Sequence, residues 1–367
     1  MRVRALGIFL VLGSGVSAAA EPEREAFDDA IDKGLEYLAR HQAPNGAWLT
    51  AQGPEPAITS LCIMAFLSAG HVPGEGTHGQ AIERGIQYVM EQQRPNGLFL
   101  SILGERLEMY QHGICTLMLA EVVGMMPDRR QARKLREKLV LAVDVILRAQ
   151  LRNGEDRGGW RYTVQSPDSD ISVTGWQIMA LRAAKNTGCD VPAEHIDQAI
   201  DYIKRCRDPV TGGYRYQIYG RVTIPCTGTS MLALSLMDKD YTKSNDAYRA
   251  ASSLLKYPLN PREQHFFYGI YYTSQAMFQV GIEKKTSKDN RGGVDVINNY
   301  WITYRKILHR LLLVQNPPKA AGFWSGFGWD DLKAGPNYCT AMAILALTVE
   351  YRYLPIYQRG EEPAENE

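Results

Sequence analysis

An excess of charge of either sign is missing from this sequence, in which 41 Lys and Arg residues are balanced by 40 Asp and Glu residues. Without a basic excess there is no electrostatic basis for binding nucleic acid or an anionic membrane surface. Long apolar runs are missing too, because no stretch reaches the roughly 18 apolar residues of a membrane-spanning helix. We therefore expect neither a nucleic-acid partner nor a transmembrane anchor.

Cysteines and strand-like patterns are sparse. The six cysteines do not have the spacing of a dense disulfide framework. Cys62 and Cys115 fall inside apolar helical runs, where a buried free thiol is expected. Alternation of apolar and polar residues is scarce, so an all-α protein is expected. No Gly-Cys-Gly-Glu-Gln stretch is present, which excludes covalent attachment of the complement type.

The first twenty residues have the features of a secretory signal peptide. Arg2 and Arg4 supply a basic start, and "ALGIFLVLGSGV" is an apolar run too short to cross a bilayer. Three alanines at positions 18–20 offer small residues for cleavage. We expect residues 1–20 to be removed and the protein to be secreted or periplasmic.

A helix-turn pattern recurs along the remaining chain. Residues 33–48 are "KGLEYLARHQAPNGAW" and residues 84–99 are "RGIQYVMEQQRPNGLF", with matched basic, Gly, aromatic, Gln and Pro-Asn-Gly positions. Looser copies follow in "VILRAQLRNGEDRGGWRY", "AIDYIKRCRDPVTGGYRY", the eroded "AASSLLKYPLNPREQHFF" and "ILHRLLLVQNPPKAAGFW". The pattern predicts six repeated units.

Each unit contains a second helix of different character. The first helix is amphipathic and charged, as in "IERGIQYVMEQQ", whereas the second is apolar all round, as in "ITSLCIMAFLSAG". This polarity predicts an outer, solvent-facing helix and an inner, buried helix. In four inner helices a Thr precedes an Ala by six residues, and such small residues allow close helix packing: Thr59/Ala65, Thr174/Ala180, Thr227/Ala233 and Thr340/Ala346.

Six outer and inner hairpins predict a closed ring, a single (α/α)6 toroid over residues 28–352. An open solenoid would need polar capping repeats, and the last unit, "NYCTAMAILALTVEYRYL", is not polar. Residues 281–299 are expected to form a polar loop between the fifth and sixth units. Residues 353–367 are expected to form a tail that is disordered at its acidic end.

The repeated pattern resembles the QW motif of squalene and oxidosqualene cyclases, and the looser copies resemble those of protein prenyltransferase β subunits. The resemblance to this terpenoid cyclase and prenyltransferase superfamily implies a structural role, in which the Gln and the aromatic residue tie the outer helix to the following turn. The residues to which this role is assigned are Gln42, Gly46, Trp48, Gln93, Gly97, Phe99, Gln150, Gly159, Trp160, Gln315 and Trp324.

The cyclase resemblance also points to an acid motif. Class II terpene cyclases protonate an alkene with an Asp in a D-x-D-D-T motif at the start of an inner helix. Registered on Thr174, the equivalent segment is "DISVT" (170–174), in which Ser172 replaces the proton donor. Standard alkene protonation is therefore not expected. Asp168 and Asp170 stay catalytic candidates in a register shifted by two, and the alternative is that Asp170 or Ser172 caps the helix.

The prenyltransferase resemblance raises the question of a zinc site. Those enzymes hold zinc with Asp, Cys and His side chains at inner-helix starts, and His112, Cys226 and Cys339 have comparable positions. Alternate inner helices should lie about 15 Å apart if neighbouring helices are about 8–10 Å apart. Two Cys side chains cannot share an ion across that distance. We expect no metal and no other cofactor, with these three residues as weak candidates.

Aromatic and imidazole side chains near the inner-helix starts are candidate ligand contacts. Aromatic faces suit isoprenoid chains and passing cations, and the alternative is that these rings fill the middle of the toroid. The loop "GGYRYQIYGR" (212–221) adds three tyrosines that could stack on sugars. The predicted ligand contacts are Tyr110, His112, Trp176, Tyr271, Tyr272 and Tyr338.

Three functions are compatible with these patterns, and whether the protein is an enzyme is left open. The favoured one is an exported toroid that binds an isoprenoid or other apolar small molecule. The second is a divergent terpenoid cyclase or a carbohydrate-active enzyme. Glycoside cleavage needs paired carboxylates, for which Glu155/Asp156 and Asp330/Asp331 are candidates. The third is a module that binds another secreted protein through an exposed aromatic patch.

Overall fold

The computed structural model describes residues 21–100, 107–238, 240–281 and 300–358, and this part of the chain contains twelve α-helices. The outer helices are α1 (Glu21–Arg40), α3 (Gly79–Glu91), α5 (Arg129–Ala149), α7 (Ala193–Arg205), α9 (Asn245–Lys256) and α11 (Tyr300–His309). The inner helices are α2 (Pro56–Ser68), α4 (Glu108–Val122), α6 (Ile171–Asn186), α8 (Ile224–Met237), α10 (Phe266–Gly281) and α12 (Trp329–Leu347). A short antiparallel pair, β1 (Leu49–Thr50) and β2 (Gly53–Pro54), precedes α2.

Burial separates the two sets of helices. In α3, Ile82, Ile86 and Val89 are buried while Arg84 and Glu91 are exposed, which is the single apolar face of an amphipathic helix. In α2, all thirteen residues are buried. The periodicity of the sequence therefore decides which helix of each hairpin faces water.

The inner helices form a closed ring. Helix α2 contacts α4, the contacts continue in order through α6, α8 and α10 to α12, and α12 contacts α2 again. The first outer helix, α1, packs on α12 next to this closure. Because every inner helix has two inner neighbours, no polar terminal repeat is needed. The prediction of an all-α (α/α)6 toroid is confirmed.

A glutamine in the turn joins one hairpin to the next. Gln42 Nε2 donates to the carbonyl oxygen of Gly46 in its own turn at 2.9 Å and to that of Ala81 in the next outer helix at 2.7 Å. Gln93 and Gln150 each make the same two kinds of bond, at 2.8–3.0 Å. These side chains satisfy backbone groups of two segments at once.

The aromatic residue of the turn joins the outer helix to the inner helix. The indole nitrogen of Trp48 donates to the Leu38 carbonyl at 2.8 Å, and its backbone N–H donates to Thr59 Oγ1 at 3.0 Å. Trp160 and Trp324 make the equivalent pairs of bonds. A fully buried Trp thus has its polar nitrogens hydrogen-bonded, as burial requires.

The sequence pattern assigned the structural glycine of the third turn to Gly159. In the structure Gly158 occupies this position, next to helix α7. Gly158 accepts the bond from Gln150 and has a left-handed φ of 97°. A Cβ at this position would lie 2.2 Å from the Gln198 carbonyl oxygen. Both the φ angle and the close approach require glycine here.

In the sixth turn the expected glutamine does not point inward. Gln315 is exposed and ends a π-helical turn, Arg310–Gln315. A π turn holds about one residue more than an α turn, which shifts the register. The buried side chain at this point is Asn316, whose Nδ2 donates to the Ser325 carbonyl at 3.1 Å.

Residues 354–358 pack against the ring of helices. Ile356 and Tyr357 are buried in a 3-10 turn. The Ile356 N–H donates to the Glu121 carboxyl at 3.2 Å, and the Tyr357 and Tyr271 hydroxyls are 2.8 Å apart. Since Glu121 is near the end of α4, residues 354–358 cover the end of the ring where inner helices terminate. The expected tail is thus ordered to residue 358, and residues 359–367 lie outside the described residues.

Two other expectations concern undescribed segments. The predicted signal peptide, residues 1–20, lies outside the described residues. Of the predicted polar loop 281–299, only Gly281, the last residue of α10, is described. Within the described ranges, no helix is both long enough and apolar enough to span a membrane.

Candidate functional site

A cavity lies at the end of the ring where the inner helices begin. Because an outer helix precedes each inner helix, the inner helices run parallel and start at one end. The cavity measures about 510 Å³, a volume typical of small-molecule sites. It is lined by the first turns of α4, α6, α8 and α10 and by adjacent loops: Tyr110, Tyr162, Ser172, Tyr216, Val222, Thr223, Ile224, Pro225, Cys226, Leu259, Glu263, Gln264, His265 and Tyr268.

Tyrosines dominate the wall. The rings of Tyr110 and Tyr162 stack with centroids 6.0 Å apart and 26° between their planes. The hydroxyls of Tyr162 and Tyr216 are hydrogen-bonded to each other. The Tyr268 hydroxyl lies 3.1 Å from the Ser172 carbonyl oxygen. Aliphatic side chains fill the spaces between these rings: Val222, Ile224, Pro225 and Leu259.

A buried carboxyl group lies directly behind this wall. Asp170 caps α6, and its Oδ1 accepts from the Val173 N–H at 2.9 Å and from the Ser172 hydroxyl at 2.6 Å. The Ser172 hydroxyl is also bonded to the hydroxyl of Tyr110. Burial raises the pKa of Asp170, while the bonds from Ser172 and Val173 and the charge of Arg161 oppose that rise. A hydrogen-bond chain therefore connects Asp170 to the cavity, and its capping role is the one the sequence offered as the alternative to catalysis.

Arg161 holds the two candidate catalytic aspartates. Its guanidinium pairs with Asp168, and its Nε lies 3.6 Å from Asp170 Oδ2. The same guanidinium lies 5.0 Å from the centroid of the Tyr162 ring, a cation–π arrangement. Neither aspartate is among the residues that line the cavity. Their pairing with Arg161 favours a positioning role over proton donation.

The rim of the cavity carries further ionisable groups. Glu263 and His265 line it and are exposed. His265 Nδ1 lies 2.9 Å from Asp330 Oδ2. His265 has a left-handed φ of 60°, which is uncommon for a residue with a Cβ. The adjacent Asp331 is buried, and this burial, with the neighbouring charge of Asp330, raises the pKa of Asp331 to about 7.

Solved structures share this architecture, although no family model and no curated protein matches the chain. The α-1,6-mannanase GH76A of Salegentibacter sp. matches with a TM-score of 0.65 at 12% identity, over 89% of this chain and 99% of that one. The type II terpene cyclase MstE of Scytonema, in complex with its substrate geranylgeranyl dihydroxybenzoate, gives 0.53 at 12% identity, over 92% and 99%. Candida albicans protein geranylgeranyltransferase-I, in complex with GGPP, gives 0.54 at 12% identity, over 88% and 91%.

The chain has the toroid fold of these enzymes. The expected likeness in fold to terpene cyclases and protein prenyltransferases is confirmed, and a mannanase has the same fold. At 12% identity the likeness concerns the fold, and one fold hosts many chemistries. Function in this toroid must be argued from its own site.

Among the side chains predicted to contact a ligand, Tyr110 lines the cavity. Trp176, Tyr271 and Tyr272 lie about one turn deeper, with the Trp176 and Tyr271 rings stacked 5.6 Å apart. Each of these three is at most 1% exposed, so they belong to the packed interior. Tyr338 is half-buried and lies outside the lining set. First-turn residues reach the cavity, whereas deeper rings pack on neighbouring helices.

His112 has a structural position. Its Nδ1 accepts from the Phe99 N–H at 3.2 Å, as the hydroxyls of Thr59 and Thr174 accept from their turn tryptophans. Nε2 therefore carries the hydrogen and donates to the Ala142 carbonyl at 2.9 Å. Burial lowers the pKa of His112 to about 4. With both nitrogens bonded inside the protein, the imidazole is not directed at a ligand.

The weak zinc candidates are not equivalent to one another. His112 takes the Thr position, whereas Cys226 and Cys339 come one residue before it. Cys226 lines the cavity, and the Cys339 thiol lies 3.7 Å from the Asp331 carbonyl oxygen. Among the described residues, no three His, Cys, Asp or Glu side chains are grouped to hold a metal ion. All six cysteines are buried free thiols.

Tyr162 and Tyr268 were not among the predicted ligand contacts, and Tyr216 was predicted only as part of the loop 212–221. Signals for them were present. The triplets "WRY" (160–162) and "YRY" (214–216) place an aromatic-Arg-Tyr pattern in consecutive turns. Tyr110 and Tyr268 are each the third residue of an inner helix. Equivalent positions in a ring converge at one end, so repeated tyrosines there predict a shared wall.

Proposed function

We propose that the protein is exported and binds a small, largely apolar molecule in the tyrosine-lined cavity. The observation that carries the proposal is the wall itself, in which four tyrosine rings alternate with aliphatic side chains around about 510 Å³. Removing apolar surface from water contributes about 25 cal/mol per Å², and aromatic faces suit flat or unsaturated chains. An isoprenoid chain fits these properties. Export is supported by the basic start and apolar run of residues 1–20.

The residues behind the wall favour binding without alkene protonation. Ser172 stands where a class II cyclase has its acid, and a hydroxyl is too weak an acid to protonate an isolated alkene. Asp170 uses Oδ1 to cap α6 and lies beside Arg161. Neither group presents an acidic proton to the cavity.

A carbohydrate-active enzyme is the second candidate, because carboxyl groups lie at the rim. The mannanase with this fold was solved with α-1,6-mannotriose as a variant described as inactive, in which two adjacent aspartates are replaced by asparagine. Asp330 and Asp331 are adjacent here, and Asp330 is bonded to the cavity residue His265. Glycoside cleavage needs two carboxyl groups facing one bond. Among the described residues that line the cavity, Glu263 at the rim is the one carboxylate. Asp331 is buried, so the geometry supports binding better.

Filling the cavity tests the proposal. Ile224→Trp places a large ring at the start of α8, and we expect it to weaken farnesol binding at least tenfold in isothermal titration calorimetry. Val140→Trp, on the exposed face of α5, is the matched control and should leave the affinity unchanged. Native mass spectrometry of protein from its own host should show a bound apolar mass.

Three outcomes would contradict the proposal. Farnesol could fail to bind the wild-type protein, or Ile224→Trp could bind it as tightly as wild type. Cleavage of α-1,6-mannotriose that is lost in Glu263→Gln would favour the enzyme instead.

A further inference from the structure

The hydrogen-bond chain behind the wall has a direction. Asp170 Oδ1 accepts from the Val173 N–H, so this oxygen is an acceptor and the Ser172 hydrogen points to it across 2.6 Å. A hydroxyl has one hydrogen. The bond between Ser172 and Tyr110 must therefore be donated by Tyr110. The Tyr110 oxygen has lone pairs but no hydrogen left for a ligand.

The hydroxyl hydrogen of Tyr268 is also donated to an oxygen within the protein. Its hydroxyl lies 3.1 Å from the Ser172 carbonyl oxygen and 3.1 Å from Thr229 Oγ1. Thr229 directs its own hydrogen to the Pro225 carbonyl at 2.9 Å. The Tyr268 hydrogen is thus used by one of two protein oxygens. The hydroxyl oxygens of Tyr110 and Tyr268 can therefore accept a hydrogen bond from a ligand, but neither hydroxyl has a hydrogen left to donate to it.

The charges around the cavity disfavour an anion. Among the described residues that line it there is no Lys or Arg, and Glu263 contributes a negative charge. His265 is paired with Asp330, and Arg161, behind the wall, is paired with Asp168. A diphosphate or carboxylate would lose its hydration and meet acceptor oxygens without gaining an unpaired cation from the described lining residues.

We infer that the ligand carries an uncharged hydroxyl group, as an alcohol or phenol with an apolar body, and not an anionic head group. Its O–H donates to the oxygen of Tyr110 or Tyr268. The hydroxyls of Tyr162 and Tyr216 are hydrogen-bonded to each other, and the Tyr216 hydroxyl also interacts with the Asp170 carboxyl. The inference rests on the proposed binding function and narrows it to a chemical class.

Three probes that share the same hydrocarbon chain distinguish a hydroxyl head group from an ether and from an anion. Farnesol, farnesyl methyl ether and farnesyl diphosphate differ in the head group alone, and calorimetry with the whole purified protein gives their dissociation constants. We expect farnesol to bind about tenfold more tightly than either analogue, the size expected for one hydrogen bond and an unpaired acceptor. Equal or tighter binding of the ether or the diphosphate would overturn the inference and leave the binding function standing. Binding of none of the three would overturn both.

A single substitution tests the direction of the chain. Ser172→Ala removes the acceptor used by Tyr110 and frees the Tyr110 hydrogen for the cavity. We expect the affinity ratio of farnesol to its methyl ether to fall at least threefold, because the ether gains a donor. Ser60→Ala, which removes another buried inner-helix hydroxyl, bonded to the Pro56 carbonyl, should leave the ratio unchanged. An unaltered ratio in Ser172→Ala would contradict the inference.

Discussion

At the residue scale, His112 shows how chemistry that suggests a ligand can serve the scaffold. At equivalent positions Thr59, Thr174 and other threonines accept a backbone N–H from the turn. A neutral imidazole does the same with Nδ1 and also reaches a carbonyl of α5 with Nε2. The imidazole thereby links the turn to the next outer helix, whereas the hydroxyls of Thr174 and Thr227 donate to carbonyls of their own unit.

Glu121 makes the stability of the fold depend on pH. Burial raises the pKa of this carboxyl from 4.5 to about 8. Between these values the folded protein holds a proton that the unfolded chain releases, so stability falls as pH rises through this window. Glu121→Gln keeps an oxygen for the Ile356 N–H and cannot ionise. We expect its thermal midpoint, followed by circular dichroism, to exceed that of wild type by several degrees at pH 9 and by much less at pH 5.

The control for this prediction is Glu137→Gln, on the exposed face of α5. It should follow the wild-type midpoint at both pH values. If Glu121→Gln also followed wild type at pH 9, the buried carboxyl would not be a source of pH dependence.

At the scale of elements, four of the turns between an outer and an inner helix contain a glycine that brings two backbones together. Gly46, Gly97, Gly158 and Gly322 all have left-handed φ angles between 87° and 97°. In each case a Cβ would lie within 2.6 Å of a carbonyl oxygen of another outer helix. The turn is therefore also a contact between adjacent hairpins, and around the ring these contacts fix the spacing of the outer helices.

Two glycines of one loop separate the φ requirement from the contact. Gly154 and Gly158 have φ angles of 82° and 97°, but a Cβ at Gly154 would meet no atom within 4 Å. We expect Gly154→Ala to cost about 1 kcal/mol of unfolding free energy. Gly158→Ala should cost at least about 3 kcal/mol, because the Gln198 carbonyl must also move. Urea unfolding at equal m-values measures both, and equal losses would show that the close contact does not matter.

At the scale of the whole molecule, the two ends of the ring differ. Residues 354–358 cover the end where the inner helices terminate, through Ile356 and Tyr357. The opposite end holds the cavity. Because one end of the ring is covered, a ligand enters at the other end. The residues that stabilise the covered end are therefore different from the residues that bind the ligand.

Tyr357→Ala tests that separation. Loss of a buried ring and of its bond to Tyr271 should lower the unfolding free energy by about 3 kcal/mol, measured by urea unfolding. The farnesol dissociation constant should stay within twofold of wild type. Tyr353→Ala, at a side chain 53% exposed, should change neither quantity. Loss of farnesol affinity in a folded Tyr357→Ala protein would show that the two ends are coupled.

Much of the fold was predictable because its signals are local. The buried face of α3 and the wholly apolar α2 are readable from their own residues. The site was predictable only in part. Tyr110 was found, but Glu263 and His265 lie within the eroded fifth copy of the repeat, where the pattern gave no register. The π turn before Asn316 likewise left no mark in the sequence pattern.

The sequence by itself determined the alternation of outer and inner helices and the tight turns between them, because periodicity and glycine φ angles act over a few residues. Closure of the ring was an expectation, and contacts between α12 and α2 decided it. Tertiary structure alone decided that Tyr110 and Tyr268 share one wall while Trp176 and Tyr272 fill the interior. The physical reason is depth along a helix, since one turn separates a side chain that meets the cavity from one that meets neighbouring helices distant in the chain.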